Sequence, residues 1–383
     1  MSFSKERSAV FYKGDKTLIS EIFNYHNHDW VYANEANQFS LFLCNRIFTN
    51  RETETSSWSK FVEVRKLDEW KNIDSRSKVD RQQKHYFSLN KNFMSCAFSS
   101  CYVDVFSRVH GEGKYHYRQF GTKGLYLPKE KLRDGFILET DLADFFFKFL
   151  IQIFAILDAE PERAVKSVIE CLIFCRENDL LTKSPFHLHG VILGLSKIVQ
   201  KVGQGGNDIS SHLELLKENY QDFPMELEAL ISTLMLGRLG KQLNMLSAAL
   251  YINMGFNQPN CFFARTEQSF SQAKDLSSQE KELALTHADF IAKKIKLIVP
   301  SNLELVRLVR HHHGSQTGRG FPEFFRGKIQ ADDITFMAVI AIAEAFCELR
   351  PGETVSHALS KIKGSIPQAK LKKEVEDISR AIF

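Results

Sequence analysis

This sequence is defined first by what it lacks. No apolar run approaches the ~18 residues that a membrane-crossing helix needs, so membrane insertion is not expected. The segment from Met1 to Asp15 carries charge and has no apolar core, so it does not read as a secretion signal. The seven cysteines are odd in number and form no Cys-x-x-Cys pair. That argues against a disulfide framework and fits reduced thiols in a cytoplasm. Cys171 and Cys175 stand one helical turn apart and read as core residues. Neither sign of charge dominates: 50 Lys and Arg face 46 Asp and Glu, a net +4, too little to imply a nucleic-acid partner. Several catalytic signatures are also missing. There is no Gly-x-Ser-x-Gly and no His-Glu-x-x-His. The run Gly203-Gln204-Gly205-Gly206 lacks the strand before it and the Lys-Ser/Thr after it that a phosphate loop requires, and reads as a linker.

What is present is apolar and aromatic. Hydrophobic residues make up 44% of the 383 positions and Phe alone accounts for 32, enough for two domains with real cores. The charge is uneven: residues 1–140 hold 22 Lys and Arg against 17 Asp and Glu, and the remainder holds 28 against 29. The same point divides the patterning. Up to about residue 140, short apolar or aromatic runs at 39–44, 60–64, 99–106 and 124–127 alternate with turn signals at Asn50-Arg51, Gly111-Glu112-Gly113 and 121–124. Residues 114–136 read as a helix, a glycine turn and a strand. From Leu142 onward apolar residues recur at helical spacing through 142–158, 164–175, 186–202, 224–250, 281–299, 303–310, 334–349 and 370–382. Pro161, Pro185, Pro224, Pro300, Pro322 and Pro351 fall at starts or breaks, and residues 258–278 read as a polar lid or connector. The expectation is an α+β chain: a small mixed α/β domain over 1–140, then an all-α bundle over 141–383.

The densest local signal is His311-His312-His313-Gly314-Ser315-Gln316-Thr317-Gly318-Arg319-Gly320-Phe321-Pro322, set between two apolar helical runs. It resembles the HHE…DGxGYP signature of HD-GYP domains, the metal-dependent phosphodiesterases of bacterial cyclic-di-GMP signalling. His312 and His313 match the two signature histidines. Gly318, Gly320 and Pro322 keep the turn. Gly314 replaces the acid, Thr317 the aspartate and Phe321 the tyrosine. Upstream, Ala248-Ala249-Leu250-Tyr251-Ile252-Asn253-Met254-Gly255-Phe256 is similar to the family's AALLHDIGK. Ile252 stands at the histidine, Asn253 at the metal-bridging aspartate and Phe256 at the lysine. Isoleucine cannot ligate, and a neutral amide is a poor bridge between two dications. His287, 25 residues before His312, matches the family's lone histidine and shares a helical face with Leu283 and Ile291. Glu344 matches the late aspartate. For the first ligand helix, His189 and His212 are both candidates. Residues 120–128 are similar to the closing segment of input domains that precede HD-type domains in bacterial regulators.

The resemblance implies a bacterial cytoplasmic signalling protein with a degenerate HD-GYP-like bundle, its hydrolysis impaired or lost, acting as a regulatory module for a nucleotide or a protein. His312, His313, Arg319 and Phe321 would wall a nucleotide pocket, with cyclic-di-GMP the candidate ligand. His287, His312, His313 and Glu344 are the remaining candidate ligands for no metal or for one divalent Fe, Zn or Mn; a two- or three-metal centre is not expected. Two other readings stay open. One is a phosphodiesterase with a reduced metal site and Glu344 as ligand or base. The other is a homodimerisation module. His26, His28, His110 and His116 read as polar loop histidines.

Overall fold

The structure is a computed structural model. It describes residues 8–11, 63–66, 86–89, 103, 105–111, 114–121, 135–205, 209–256, 270, 275–312, 330–348, 357, 359–360 and 369–382. The chain divides into two compact units, Met1–Asp158 with Phe186–Gly194, and Ala159–Pro185 with Leu195–Phe383. Among the described residues, no helix is long and apolar enough to cross a membrane.

In the first unit, β1 (Ser8–Phe11) and β2 (Glu63–Lys66) form an antiparallel pair. A four-stranded antiparallel sheet follows, built from β3 (Tyr86–Ser88), β4 (Val105–Gly111), β5 (Lys114–Gly121) and β6 (Gly135–Leu138) in the order β3-β6-β4-β5. Register pairs Gly111 with Lys114, on either side of the glycine turn read from sequence. The strand at β5 corrects the helix expected there: Lys-Tyr-His-Tyr-Arg-Gln-Phe-Gly is rich in aromatic residues and pairs with β4 from Gly111–Lys114 to Val105–Gly121, as strand-forming residues do. On β6 Gly135 and Ile137 are buried and their neighbours half-buried, the period of two that a sheet imposes. The expected runs at 39–44 and 124–127 lie outside the described residues, as do His26 and His28. α1 (Leu142–Ile156) carries five phenylalanines; Phe145, Phe146 and Phe149 are buried. The N-terminal half of α4 (Pro185–Gln204) packs on it so closely at Gly194 that a Cβ there would lie 2.6 Å from Leu150 Cδ1.

The second unit is helical. It comprises α2 (Pro161–Glu177), α3 (Leu180–Lys183), the C-terminal half of α4, α5 (Ile209–Tyr220), α6 (Pro224–Arg238), α7 (Leu243–Tyr251), α8 (Ser278–Ile298), α9 (Leu303–His311), α10 (Ala331–Glu348) and α11 (Ala369–Ile382). Proline occupies the first position of α2, α4 and α6, where its missing N–H costs nothing. α6 is the axis: every residue from Met225 to Gly237 is buried, and it packs on α2, α5, α7 and α10. A helix buried all round must still satisfy its polar groups. Glu226 is met by Arg176 of α2, and Thr233 donates to Ala229 O at 2.7 Å. Burial raises the Glu226 carboxyl above its ordinary pKa, and the Arg176 guanidinium opposes that rise.

The periodicity over 224–250 resolves into two helices. Gly240 takes φ +66°, and Lys241 N donates back to Leu236 O at 3.0 Å. This is the left-handed glycine stop that ends many helices. α5, a helix of 12 residues, falls in a stretch whose polar periodicity concealed it. Residues 203–204 belong to α4 rather than to a linker. A Cβ on Gly203 would stand 2.8 Å from Arg238 N and 2.9 Å from Gly237 C; one on Gly237 would stand 3.2 Å from Val199 O. The two glycines let α4 and α6 cross backbone against backbone. Cys171 and Cys175 are buried thiols on α2, not joined in a disulfide.

Because the atoms facing Gly203 and Gly237 are main chain, they cannot swing aside. Gly203→Ala or Gly237→Ala should cost roughly 1–3 kcal/mol of stability. The effect is read as a lowered urea midpoint, whereas alanine at exposed Gly205 should cost little.

Candidate functional site

Four elements of the helical unit converge on two histidines. α8 starts with a capping box: Ser277 Oγ accepts from Glu280 N, and the Glu280 carboxylate accepts from Ser277 N. Its buried face carries Ala284, His287, Ala288, Ile291 and Ile295. α9 is capped by Asn302, whose side chain accepts from Leu305 N at 3.1 Å, and it ends at His311, so that His312 turns inward with 4% of its surface exposed. α9 is tied on three sides. Towards α7, Asn244 donates to Glu304 at 2.6 Å and accepts from Asn302 at 2.9 Å. Towards α8, Arg310 reaches Asp289 at 3.6 Å. Towards α10, His311 Nδ1 and Arg307 reach the two oxygens of buried Asp333 at 3.1 and 3.3 Å.

The result is a contact between His287 Nε2 and His312 Nε2 at 3.1 Å. Each ring's other nitrogen is already committed. His287 Nδ1 donates to Ala284 O at 2.9 Å and His312 Nδ1 donates to Val309 O at 2.7 Å. With both Nδ1 atoms protonated, two neutral rings would point lone pairs at each other. The contact is favourable only if a positive charge sits between the Nε2 atoms, either one additional proton or a metal ion. An imidazole that donates Nδ1–H to a carbonyl and presents Nε2 is the usual form of a metal-ligating histidine. At a metal–nitrogen distance of about 2.0–2.1 Å, the 3.1 Å separation subtends roughly 95–102°, which suits tetrahedral or octahedral coordination.

The turn after α7 forms one wall. Gly255 lies so close to α8 that a Cβ would meet Ile291 Cγ1 at 2.9 Å. That approach lays the Phe256 ring over His287, centroid to centroid at 4.3 Å. Phe256 also joins Met225, Leu276 and Ala284 in a buried apolar cluster. Ile252 is fully buried and offers no donor atom. Asn253, 4% exposed, spends its amide nitrogen on Met225 O at 3.1 Å. Two imidazole nitrogens face each other here, and the turn beside them brings an amide turned to the main chain at Asn253 and a phenyl ring at Phe256.

Of the residues expected at the site, the structure brings His287 and His312 together, with Phe256 against them. His313, Arg319, Phe321 and the Gly-x-Gly-Phe-Pro turn lie outside the described residues. Glu344 is half-buried on α10. Among the described residues, no group of three or more His, Cys, Asp and Glu side chains is placed to hold a metal. Of the two upstream candidates, His189 belongs to the first unit and His212, on α5, to the second. His212 is 6% exposed, and neither ring nitrogen has a hydrogen-bond partner. Sequence reasoning did not find the Asp333–His311 link. A histidine run and an aspartate 22 residues later carry no local signal of contact.

No family model matches the sequence, and no curated protein matches it. Among solved structures, Bd1817, described as a HDG"Y"P protein from Bdellovibrio bacteriovorus, matches with TM-score 0.48 and 11% identity, over 77% of this chain and 100% of that one.

Two outcomes follow from this geometry. Asn253→Asp sets a carboxylate against Met225 O in place of a donor, and should destabilise the protein by roughly 1–3 kcal/mol by urea unfolding, unlike Asn253→Gln or an exposed Asn→Asp. Burial lowers the His189 imidazole from 6.5 to about 4. The unfolded chain therefore binds the proton first as pH falls. The stability tied to a neutral His189 is full above about pH 6.5 and is lost progressively towards pH 4, on the order of 3 kcal/mol. Unfolding midpoints measured across that window should flatten in His189→Gln.

Proposed function

We propose that this chain is a signalling protein whose helical unit is an HD-GYP-like module without the family's bridged metal centre, serving as a regulatory binding module rather than as a cyclic-di-GMP hydrolase. The observation that carries this reading is the contrast within one site. The His287 and His312 rings face each other through Nε2, while Asn253 turns its amide to Met225 O and Phe256 lies over His287; by the resemblance, Ile252, Asn253 and Phe256 stand where the family carries its cluster-completing residues. Hydrolysis of a phosphodiester by paired metals needs both ions close enough to clamp attacking and leaving oxygens. An amide bonded to Met225 O and a phenyl ring on His287 support no such bridge.

In this reading His287 and His312 would hold one divalent ion, Zn, Fe or Mn, with His313 and Glu344 as the further candidates. When bound, the ion would supply a Lewis-acidic point charge for a phosphate oxygen. The chain's own residues do the rest. Ala284 O and Val309 O fix the two ring orientations. Phe256 excludes water from one face of His287. Arg319 and Phe321 are the candidate contacts for a guanine nucleotide. Cyclic-di-GMP is the first ligand to test, a signalling protein the second.

The alternative is a phosphodiesterase that works through one metal. It is favoured by a single observation, the survival of the ligand-ready histidine pair, and one experiment separates the two. Protein purified without chelator or histidine tag should contain about one equivalent or less of Fe, Zn or Mn by mass spectrometry. It should lose that metal in His312→Ala and show no hydrolysis of cyclic-di-GMP. Chelator-sensitive hydrolysis abolished in both His287→Ala and His312→Ala would overturn the proposal and make the chain an enzyme.

A further inference from the structure

Among the described residues two large apolar side chains are strongly exposed, Leu297 at 78% and Leu303 at 66%. They flank one corner. Leu297 lies in the last turn of α8 and Leu303 opens α9. The four residues between the two helices form a tight turn in which Val299 N donates to Ile295 O at 2.8 Å and Asn302 N to Val299 O at 3.0 Å. The residues that must face the core do so: Ile291, Ile295, Ile298 and Val299 are buried. Burial of that stripe leaves Leu297 outward, with exposed Pro300 and Ser301 beside it.

The α8 side of the corner is also rich in lysine. Residues 293–303 read Lys-Lys-Ile-Lys-Leu-Ile-Val-Pro-Ser-Asn-Leu, with three lysines and no acidic residue. Lys293 and Lys296 are exposed. Lys293 is paired with Asp289 one turn back, at 2.6 Å, and Lys294 lies over the Phe290 ring. Glu304, the first acid beyond the turn, is half-buried and accepts from Asn244, so its negative charge faces α7.

We propose that the α8–α9 corner is a contact site for an anionic lipid surface, with Leu297 and Leu303 entering the headgroup–acyl boundary and Lys294 and Lys296 meeting the headgroup phosphates. The proposal stands apart from the reading of the histidine site. The exposed apolar surface and the lysines favour a lipid surface over a protein partner. A stable protein interface needs about 800 Å² per side with a closed apolar centre; two exposed leucines on a bend do not supply that centre. Shallow insertion of a few apolar side chains, ringed by lysines, is how proteins lie on a charged bilayer without spanning it.

The full chain should be sedimented with sucrose-loaded vesicles of phosphatidylcholine, alone and with roughly 30% phosphatidylglycerol. Binding should be several-fold stronger with the anionic lipid and should fall as salt rises. The variant Leu297→Ser with Leu303→Ser, and the variant Lys294→Glu with Lys296→Glu, should each lose roughly tenfold in partitioning while keeping the wild-type circular dichroism spectrum. The variants also separate this corner from the basic excess of residues 1–140. The proposal fails if wild type stays in the supernatant, if both vesicle types bind it equally, or if both variants sediment like wild type. Binding of a labelled acidic amphipathic peptide in the absence of vesicle binding would also overturn it, in favour of a protein partner.

Discussion

Two imidazoles whose outer nitrogens are both committed to main-chain carbonyls cannot face each other across 3.1 Å without a positive charge between them. Much of the helical unit is arranged around that requirement. The rings are 2% and 4% exposed, so water does not supply the screening that would relax it.

The neighbouring constraints keep the pair from drifting apart. α9 is short, nine residues, and an isolated helix of that length would not persist in water. It is stable because each of its sides is tied: the Asn302–Asn244–Glu304 chain on one, Asp289 on another, Asp333 on the third. Asp333 has a double role. It receives both Arg307 and His311 and stands in the first turn of α10, where a carboxylate also complements the helix dipole. A single buried acid thus joins the end of α9 to the start of α10, the two ends of the segment that contains the Gly-x-Gly-Phe-Pro turn.

Much of the helical unit was legible in sequence because its helices carry the period of 3.6 strongly and its prolines mark their starts. The exceptions have physical causes. The run over 224–250 looked continuous because Gly240 is a single residue in an apolar pattern, and only its left-handed backbone breaks the helix. The strand at 114–121 was read as helix because a short alternation of tyrosines and polar residues is ambiguous until its partner is known. Gly203 read as part of a loop because its use is tertiary, a close crossing that composition does not reveal. At the site, His287 and His312 were found from their 25-residue spacing within matching motifs. The losses at Ile252, Asn253 and Phe256 were visible as substitutions. That Asn253 turns to Met225 O and Phe256 covers His287 could be known only from the packing.

The break at Gly240 also bears on how the unit assembles. Had α6 and α7 remained one helix of 28 residues, it would have run about 42 Å and carried Asn253 away from the start of α6. Folded back, the two helices form a hairpin closed by the Asn253–Met225 hydrogen bond across 28 positions of sequence. Loops of that length close readily, and local helical pairs form early and fast. The apolar wall of the site is thus a self-contained stretch of chain that can be in place before α8 and α9 deliver their histidines to it. The order of assembly would then put the histidine pair last, on a surface already shaped to receive it.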